Sequence, residues 1–151
     1  MKLKTKILFD LDGTLVDSQE GITKGVQYAL KKDLGIEEPD LKKLCCFIGP
    51  PLALMFKEKY QVPDEKIEPL VATYRVYYDS IGQTQCKLYP GIEELLRHLK
   101  EQGYMLGVAS SKPEGNCVEI LKHHGVADYF DYIVGASLGP ERREKVLVLE
   151  E

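Results

Sequence analysis

Residues 6–14 read K-I-L-F-D-L-D-G-T, and this stretch decides how the fold begins. Its apolar run, residues 6–9, is short, and that length favours a strand of a buried sheet over a helix. Asp12 and Gly13 then end the run with residues typical of turns. Because ligands of open parallel sheets bind beyond the carboxyl ends of the strands, the side chains of Asp10 and Asp12 are predicted to lie in a ligand site.

Asp10 and Asp12 are two carboxylates separated by a single residue. Their charges repel unless a cation or a shared proton lies between them, and Mg²⁺ suits this position because it prefers oxygen ligands. One carboxylate bound to the ion can attack phosphorus, and the other can pass a proton to the leaving oxygen. Gly13 and Thr14 form a tight turn whose N–H groups can face phosphate oxygens. The alternative is an ordinary aspartate-rich turn, since Asp-Gly pairs are common in loops.

The chain between the first strand and residue 83 is predicted to be all-helical. Asp17 and Glu20 are spaced as a capping box, which begins the first helix. Further helices are predicted to begin at residues 39–40, at Pro51 and at Asp64. This run of helices is typical of a separate small subdomain inserted after the first strand.

Beyond residue 83, helices and strands alternate. Strands are predicted at residues 104–109 and 132–134, and helices after Pro90, from Pro113 and from residue 141. This alternation indicates parallel strands joined by helical crossovers, which is the α/β class. The expected domains are a core formed by residues 1–15 and 84–151 and a helical subdomain formed by residues 16–83.

The composition narrows the class of protein. The 151 residues carry a formal net charge of −4 with a pI of about 5.5, which argues against a nucleic-acid-binding protein, because phosphate backbones require a basic face. No apolar run approaches the ~20 residues of a membrane span, and Asp10 and Asp12 interrupt the N-terminal apolar stretch too early for a signal peptide. The four cysteines contain no CxxC pair, which is typical of free thiols in a reducing compartment. We therefore expect a cytoplasmic protein that binds neither nucleic acid nor membrane.

Residues 7–18, I-L-F-D-L-D-G-T-L-V-D-S, resemble the first motif of phosphatases of the haloacid-dehalogenase (HAD) superfamily. The resemblance implies that Asp10 is the nucleophile and a Mg²⁺ ligand, and that Asp12 is the general acid/base and binds the ion through its backbone carbonyl. It also implies a parallel Rossmann-like core of about three strands with an inserted all-α cap, similar to the phosphoglycolate-phosphatase-like branch. Residues 47–52 resemble the cap turn that contacts substrate in that branch, which makes Gly49 a candidate substrate-binding residue. Packing at a helix junction explains residues 47–52 equally well.

Two further segments resemble motifs of this superfamily. Residues 108–113, V-A-S-S-K-P, resemble the second motif, which implies that Ser110, with Ser111, Lys112 and neighbouring N–H groups, holds the transferring phosphoryl oxygens. A helix cap is the alternative for such a turn. Residues 135–138 followed by Lys145 resemble the stretch whose lysine neutralises the nucleophile and the phosphate. The alternative for Lys145 is a surface lysine on an acidic helix, and residues 139–142 depart from the small polar turn of the superfamily.

The function that the resemblance implies is a Mg²⁺-dependent phosphohydrolase that acts on a small phosphomonoester through an aspartyl-phosphate. Phosphoglycolate, a nucleoside monophosphate and a sugar phosphate are all suitable substrates for a small helical cap. A phospho-accepting signalling receiver also clusters aspartates on a parallel sheet, but the helical insertion directly after the first strand argues against it.

The fourth motif of the superfamily is an acidic pair at the end of a fourth strand, and no such pair follows residues 132–134. The resemblance therefore implies a core truncated before that motif, with weak magnesium binding. Because the fourth strand of the superfamily lies beside the first, residues 6–9 are expected to form an exposed edge that invites self-association. The alternative function is a catalytically silent chain with a role in binding or assembly only.

Overall fold

The computed structural model describes residues 5–136, and these residues form five strands and five α-helices. The strands are β1 (Lys6–Phe9), β2 (Val16–Asp17), β3 (Lys87–Leu88), β4 (Met105–Pro113) and β5 (Tyr132–Ala136). The helices are α1 (Gln19–Leu34), α2 (Leu52–Tyr60), α3 (Asp64–Ser80), α4 (Ile92–Glu101) and α5 (Glu114–His123). Short 3₁₀ helices occupy Leu41–Phe47, Gly82–Thr84 and Ala127–Tyr129.

The described residues divide by their contacts into two compact units, with boundaries after Asp17 and after Cys86. The α/β unit contains the five strands together with α4 and α5, and the helical unit, Ser18–Cys86, contains α1, α2 and α3. None of the helices in residues 5–136 is both long and apolar enough to cross a membrane.

The α/β unit is built on three parallel strands in the order β1-β4-β5. β1 pairs with β4 from Lys6 opposite Met105 to Phe9 opposite Val108. The central strand is the most buried, because it is covered on both sides by paired neighbours, and α4 and α5 contact it. The bounds of β1 agree with the predicted first strand, and the predicted parallel α/β class is confirmed.

Two features of this unit differ from the sequence-based predictions. β4 continues to Pro113, whereas the sequence predicts a turn at residues 110–113; Pro113 pairs with Ala136 beyond a register irregularity that follows Ala109. Asp17, predicted to cap the first helix, lies in β2 opposite Lys87 of β3, and Ser18 precedes α1. Both differences arise because the strand pairing joins residues far apart in the chain, which local patterns do not report.

The helical unit has its own apolar core. The fully or nearly buried side chains in it include Val26, Leu30, Leu44, Phe47, Phe56, Leu70, Tyr74 and Tyr78. α1 packs closely on α3, because Gly25 leaves room for the Tyr74 ring: a Cβ at residue 25 would lie 2.7 Å from Cε2 of Tyr74. The second predicted helix is a 3₁₀ helix, Leu41–Phe47, and Asp40 accepts a hydrogen bond from the N–H of Lys42 at 3.0 Å.

Candidate active site

β1 and β4 are parallel and paired, and the carboxyl end of β1 lies beside Val108, after which β4 continues to Pro113. Phe9 lies opposite Val108, so Asp10, one residue beyond this last pair, and Ser110, two residues beyond it, lie at the same end of the sheet. Ser110 is only 2% exposed. The sheet therefore brings the segment that carries Asp10 and Asp12 next to the segment that carries Ser110 and Lys112.

Residues 10–16 form a compact turn closed by backbone hydrogen bonds. The carbonyl oxygen of Leu11 accepts from the N–H groups of Thr14, Leu15 and Val16 at 3.2, 3.0 and 3.2 Å, and Gly13 N–H donates to the carbonyl of Val16 at 2.9 Å. Gly13 has a φ of 79°, a left-handed conformation that favours glycine. In this structure the N–H groups of Gly13 and Thr14 thus donate within the turn, and their contact with a phosphate stays a prediction.

A buried ion pair connects this turn with the end of β4. Lys112 Nζ lies 3.3 Å from Asp12 Oδ2, and the two side chains are 7% and 11% exposed. Burial of either charge alone would be costly, whereas each charge here offsets the other. The sequence makes Lys112 a candidate for binding phosphate, but it does not predict that Lys112 pairs with Asp12.

Hydrogen bonds hold the main chain of Lys112 on two sides. Its N–H donates to the side-chain oxygen of Ser110 at 3.1 Å, and its carbonyl oxygen accepts from the thiol of Cys117 at 3.6 Å. Cys117 lies on the first turns of α5 and is fully buried. Ser110, Lys112 and Cys117 therefore form one connected group at the junction of β4 and α5.

Burial raises the pKa of the Cys117 thiol to about 12, against the smaller opposing effect of the Lys112 charge. The thiol is therefore protonated at neutral pH, and it can donate the hydrogen bond to the Lys112 carbonyl but is a poor nucleophile. The sequence gives Cys117 no role, because an isolated cysteine on a helix has no distinguishing pattern.

Gly135 and Glu114 hold β5 against this junction. The N–H of Gly135 donates to Oε1 of Glu114 at 3.2 Å. A Cβ at Gly135 would lie 2.6 Å from both the Lys112 carbonyl oxygen and Cα of Glu114, so only glycine allows this approach. The sequence predicts neither residue for this contact, because a glycine in a strand indicates a close backbone approach without identifying its partner.

The remaining candidate residues are distributed as follows. Ser111 lies in β4 between Ser110 and Lys112 and is half-buried. Gly49 belongs to the helical unit, in an exposed turn with a φ of 101° between the 3₁₀ helix Leu41–Phe47 and α2. Lys145 and the predicted helix from residue 141 lie outside the described residues.

The sequence predicts that oxygens of Asp10 and Asp12 hold Mg²⁺, and this assignment stays a prediction. No group of three or more His, Cys, Asp or Glu side chains suited to a metal ion occurs in residues 5–136. Two carboxylates nonetheless fit this ion, which commonly completes its shell with water and substrate phosphate. The pairing of the Asp12 carboxylate with Lys112 is also compatible with a metal contact through the Asp12 backbone carbonyl.

Residues 7–142 match the family of haloacid dehalogenase-like hydrolases. The chain belongs to this family. The superfamily suggested by the first motif is therefore confirmed, and phosphatases are among the relatives of this HAD-like chain.

The relatives carry the names of phosphatases and of a kinase. The 5'-nucleotidase of Pseudomonas aeruginosa is 43% identical over 139 residues, which cover 92% of this chain and 62% of that protein. Tyrosine-protein kinase PtkA of Mycobacterium tuberculosis is 36% identical, with 95% of this chain and 48% of the kinase covered. A phosphoglycolate phosphatase of Cereibacter sphaeroides is 32% identical, with 91% and 65% covered. The HAD-like chain thus spans 48–65% of the length of these relatives.

A solved structure shares the fold over nearly the whole chain. The crystal structure of a predicted phosphatase from Clostridium acetobutylicum has a TM-score of 0.92 and 45% sequence identity, and the match covers 99% of this chain and 68% of that one. The HAD-type α/β fold is confirmed by this likeness.

Proposed function

We propose that this HAD-like protein is a Mg²⁺-dependent phosphohydrolase of small phosphomonoesters, with Asp10 as the nucleophile. The observation that carries the proposal is the buried pair of Asp12 and Lys112, which joins the turn after β1 to the end of β4. It holds acidic, hydroxyl and cationic groups together at the carboxyl end of a parallel sheet, which is where such folds bind ligands. The names of the 5'-nucleotidase and the phosphoglycolate phosphatase support the same reaction class.

The reaction proceeds in two displacements at phosphorus. In the first, a carboxylate oxygen of Asp10 forms a bond to phosphorus while the ester P–O bond breaks, and Asp12 gives its proton to the leaving oxygen. In the second, water forms a bond to phosphorus while the P–O bond to Asp10 breaks, Asp12 takes a proton from that water, and inorganic phosphate leaves with Asp10 restored as a carboxylate. Asp10 and Asp12 would hold Mg²⁺, which would supply positive charge that offsets the charge of the phosphoryl oxygens.

The other candidate residues have binding roles in this proposal. The hydroxyl of Ser110, with Ser111, Gly13 and Thr14, contacts the phosphoryl oxygens, and Lys112 is a further candidate for this binding. Lys145 is the proposed second lysine, which neutralises the nucleophile and the phosphate. Gly49, in the helical unit, is the proposed contact to the rest of the substrate.

The proposed substrates are a nucleoside monophosphate, phosphoglycolate or a sugar phosphate. The first two match what the names of the 5'-nucleotidase and the phosphoglycolate phosphatase say of those proteins. The helical unit, as a cap, is proposed to select among them. A cytoplasmic location suits such metabolites and is proposed with them.

A second proposal is a catalytically silent chain that serves in binding or assembly. Its support comes from residues 5–136, in which Asp10 and Asp12 are not grouped with a third acidic side chain suited to a metal ion. Magnesium would then bind weakly, because this ion relies on a few well-placed charged ligands.

One experiment separates the two proposals. Hydrolysis of p-nitrophenyl phosphate, nucleoside monophosphates, phosphoglycolate and sugar phosphates is measured with Mg²⁺ and with EDTA, for the wild type and for Asp10→Asn. We expect turnover that requires Mg²⁺ and falls by about 10³-fold or more in the variant, because the nucleophile is lost. Asp128→Asn, at an exposed position of the same unit, serves as the matched control and should retain activity. Folded wild-type protein without Mg²⁺-dependent turnover on any of these substrates would leave the silent chain as the function.

A further inference from the structure

The ion pair between Lys112 and Asp12 suggests a more specific role for this lysine than binding phosphate. We infer that Lys112 is a positioning residue, which holds one carboxylate oxygen of Asp12 so that the other faces the reacting oxygen. This inference rests on the proposed function, because it assigns a part to Lys112 in the proton transfer of that reaction. The contact joins Nζ to Oδ2 at 3.3 Å, with both side chains largely buried.

The main chain of Lys112 is fixed well enough for such a role. Its N–H is bonded to Ser110, its carbonyl accepts from Cys117, and the backbone of Gly135 lies close to the same carbonyl. A long side chain is useful for positioning only when its main chain is anchored, since a shift of about 1 Å in a catalytic group can cost about 10²-fold in rate. Here contacts from β4, α5 and β5 anchor the lysine.

The chemistry of the proton transfer also favours an ammonium at Oδ2. When Asp10 attacks phosphorus and the ester bond breaks, the proton on Oδ1 of Asp12, taken from the attacking water of the preceding turnover, moves to the leaving oxygen. Asp12 is then left as a carboxylate, and the adjacent ammonium of Lys112 stabilises the negative charge as it develops. The two carboxylate oxygens thus have separate tasks: Oδ2 is held by the lysine, and Oδ1 carries the proton.

A lysine that only binds phosphate would behave differently. It would stabilise every phosphoryl transfer equally, whatever the leaving group. A lysine that acts through Asp12 matters most when the leaving oxygen needs a proton, as an alkoxide does, and little for p-nitrophenolate, which leaves without one. The dependence of kcat/KM on the leaving group therefore distinguishes the two roles.

The test compares Lys112→Met with the wild type on an alkyl phosphomonoester and on p-nitrophenyl phosphate. We expect kcat/KM to fall by about 10- to 100-fold for the alkyl ester, the usual effect of removing a group that orients a reacting one, and by less than about threefold for p-nitrophenyl phosphate. Lys112→Arg should recover part of the loss, since it keeps a cation beside Asp12. In the Asp12→Asn background, Lys112→Met should cause no further loss, because its partner is already absent.

Lys100→Met is the matched control, because Lys100 also pairs with an aspartate, Asp131 at 2.9 Å, outside this site. It should leave the ratio of the two kcat/KM values unchanged. Equal losses on both substrates in Lys112→Met, or an additive effect with Asp12→Asn, would overturn the inference while leaving the proposed function intact. A wild type without any phosphomonoesterase activity would instead overturn the proposed function, and the inference with it.

Discussion

At the scale of single residues, the surroundings of a side chain decide what it does in this protein. Lys112 and Cys117 are five residues apart and both lie at the junction of β4 and α5. The ammonium is paired with Asp12, whereas the buried thiol has a raised pKa and is confined to a structural hydrogen bond. Neither environment could be read from the residue types alone.

The raised pKa of Cys117 predicts how stability changes at high pH. The folded protein keeps the thiol proton up to a pH of about 12, whereas the unfolded chain releases it near the ordinary value of 9.0. The contribution of Cys117 to the free energy of unfolding is therefore constant below pH 9 and decreases by about 1.4 kcal/mol per pH unit as the pH rises from 9 towards 12.

Denaturant unfolding of the wild type and of Cys117→Ala between about pH 8 and about pH 11 measures this effect. Other groups also titrate in this range, so the informative quantity is the difference between the two proteins. We expect the advantage of the wild type to shrink above pH 9. A difference that stays constant over the whole range would show that the thiol titrates normally in the folded protein.

At the scale of secondary-structure elements, the site depends on how closely β5 approaches the β4–α5 junction. Gly135 of β5 lies against the Lys112 carbonyl and against Glu114, without room for a side chain. The register irregularity between Ala109 and Pro113 occurs over the same residues, so the strand pairing and the site geometry are set together.

We expect Gly135→Ala to lower the free energy of unfolding by about 1–3 kcal/mol, because the added methyl group must push the junction away. Thermal or denaturant unfolding provides the measurement. Gly115→Ala is the matched control: Gly115 lies in α5, exposed, with no atom within 4 Å of an added Cβ. The control should change stability by no more than about 1 kcal/mol, and in the stabilising direction, since alanine favours helix. Equal effects of the two substitutions would show that β5 does not press on the junction.

At the scale of the whole molecule, two compact units share one chain, and β1 lies at an edge of the three-stranded sheet that residues 5–136 form. Leu8, in the middle of β1, is 50% exposed. An exposed, apolar edge strand is a surface on which a second strand can pair. A second copy of this chain, pairing edge to edge around a two-fold axis, is the proposed occupant, because such an interface uses the same surface on both copies.

We therefore expect the protein to self-associate as its concentration rises, and Leu8→Lys to shift it towards the monomer, because a lysine on an edge strand disfavours pairing. Sedimentation velocity over a concentration series measures the distribution. Val76→Lys, at an exposed apolar position of α3, is the control and should leave self-association unchanged. A wild type that stays monomeric at every concentration would refute the proposed edge pairing.

The parts of the fold that depend on local patterns could be predicted from the sequence. The short apolar run before Asp10 predicts β1 with its observed bounds, and the alternation after residue 83 predicts the parallel α/β class. The structure has a helical unit, Ser18–Cys86, after the first strand, and the domain bounds predicted from the sequence, 16–83, stay a prediction. These features follow from hydrophobic periodicity and turn chemistry, which act between near neighbours in the chain.

Only the tertiary structure decided how distant segments meet. Three features join residues that are far apart in sequence or depend on a neighbouring strand. They are the pairing of β2 with β3, the continuation of β4 through residues 110–113 and the approach of Gly135 to Lys112. The contact of Lys112 with Asp12 spans 100 residues and exists because β1 and β4 are neighbours in the sheet. The sequence by itself determined which residue types stand at the ends of the strands, whereas the strand order and the packing of β5 determined which of them touch.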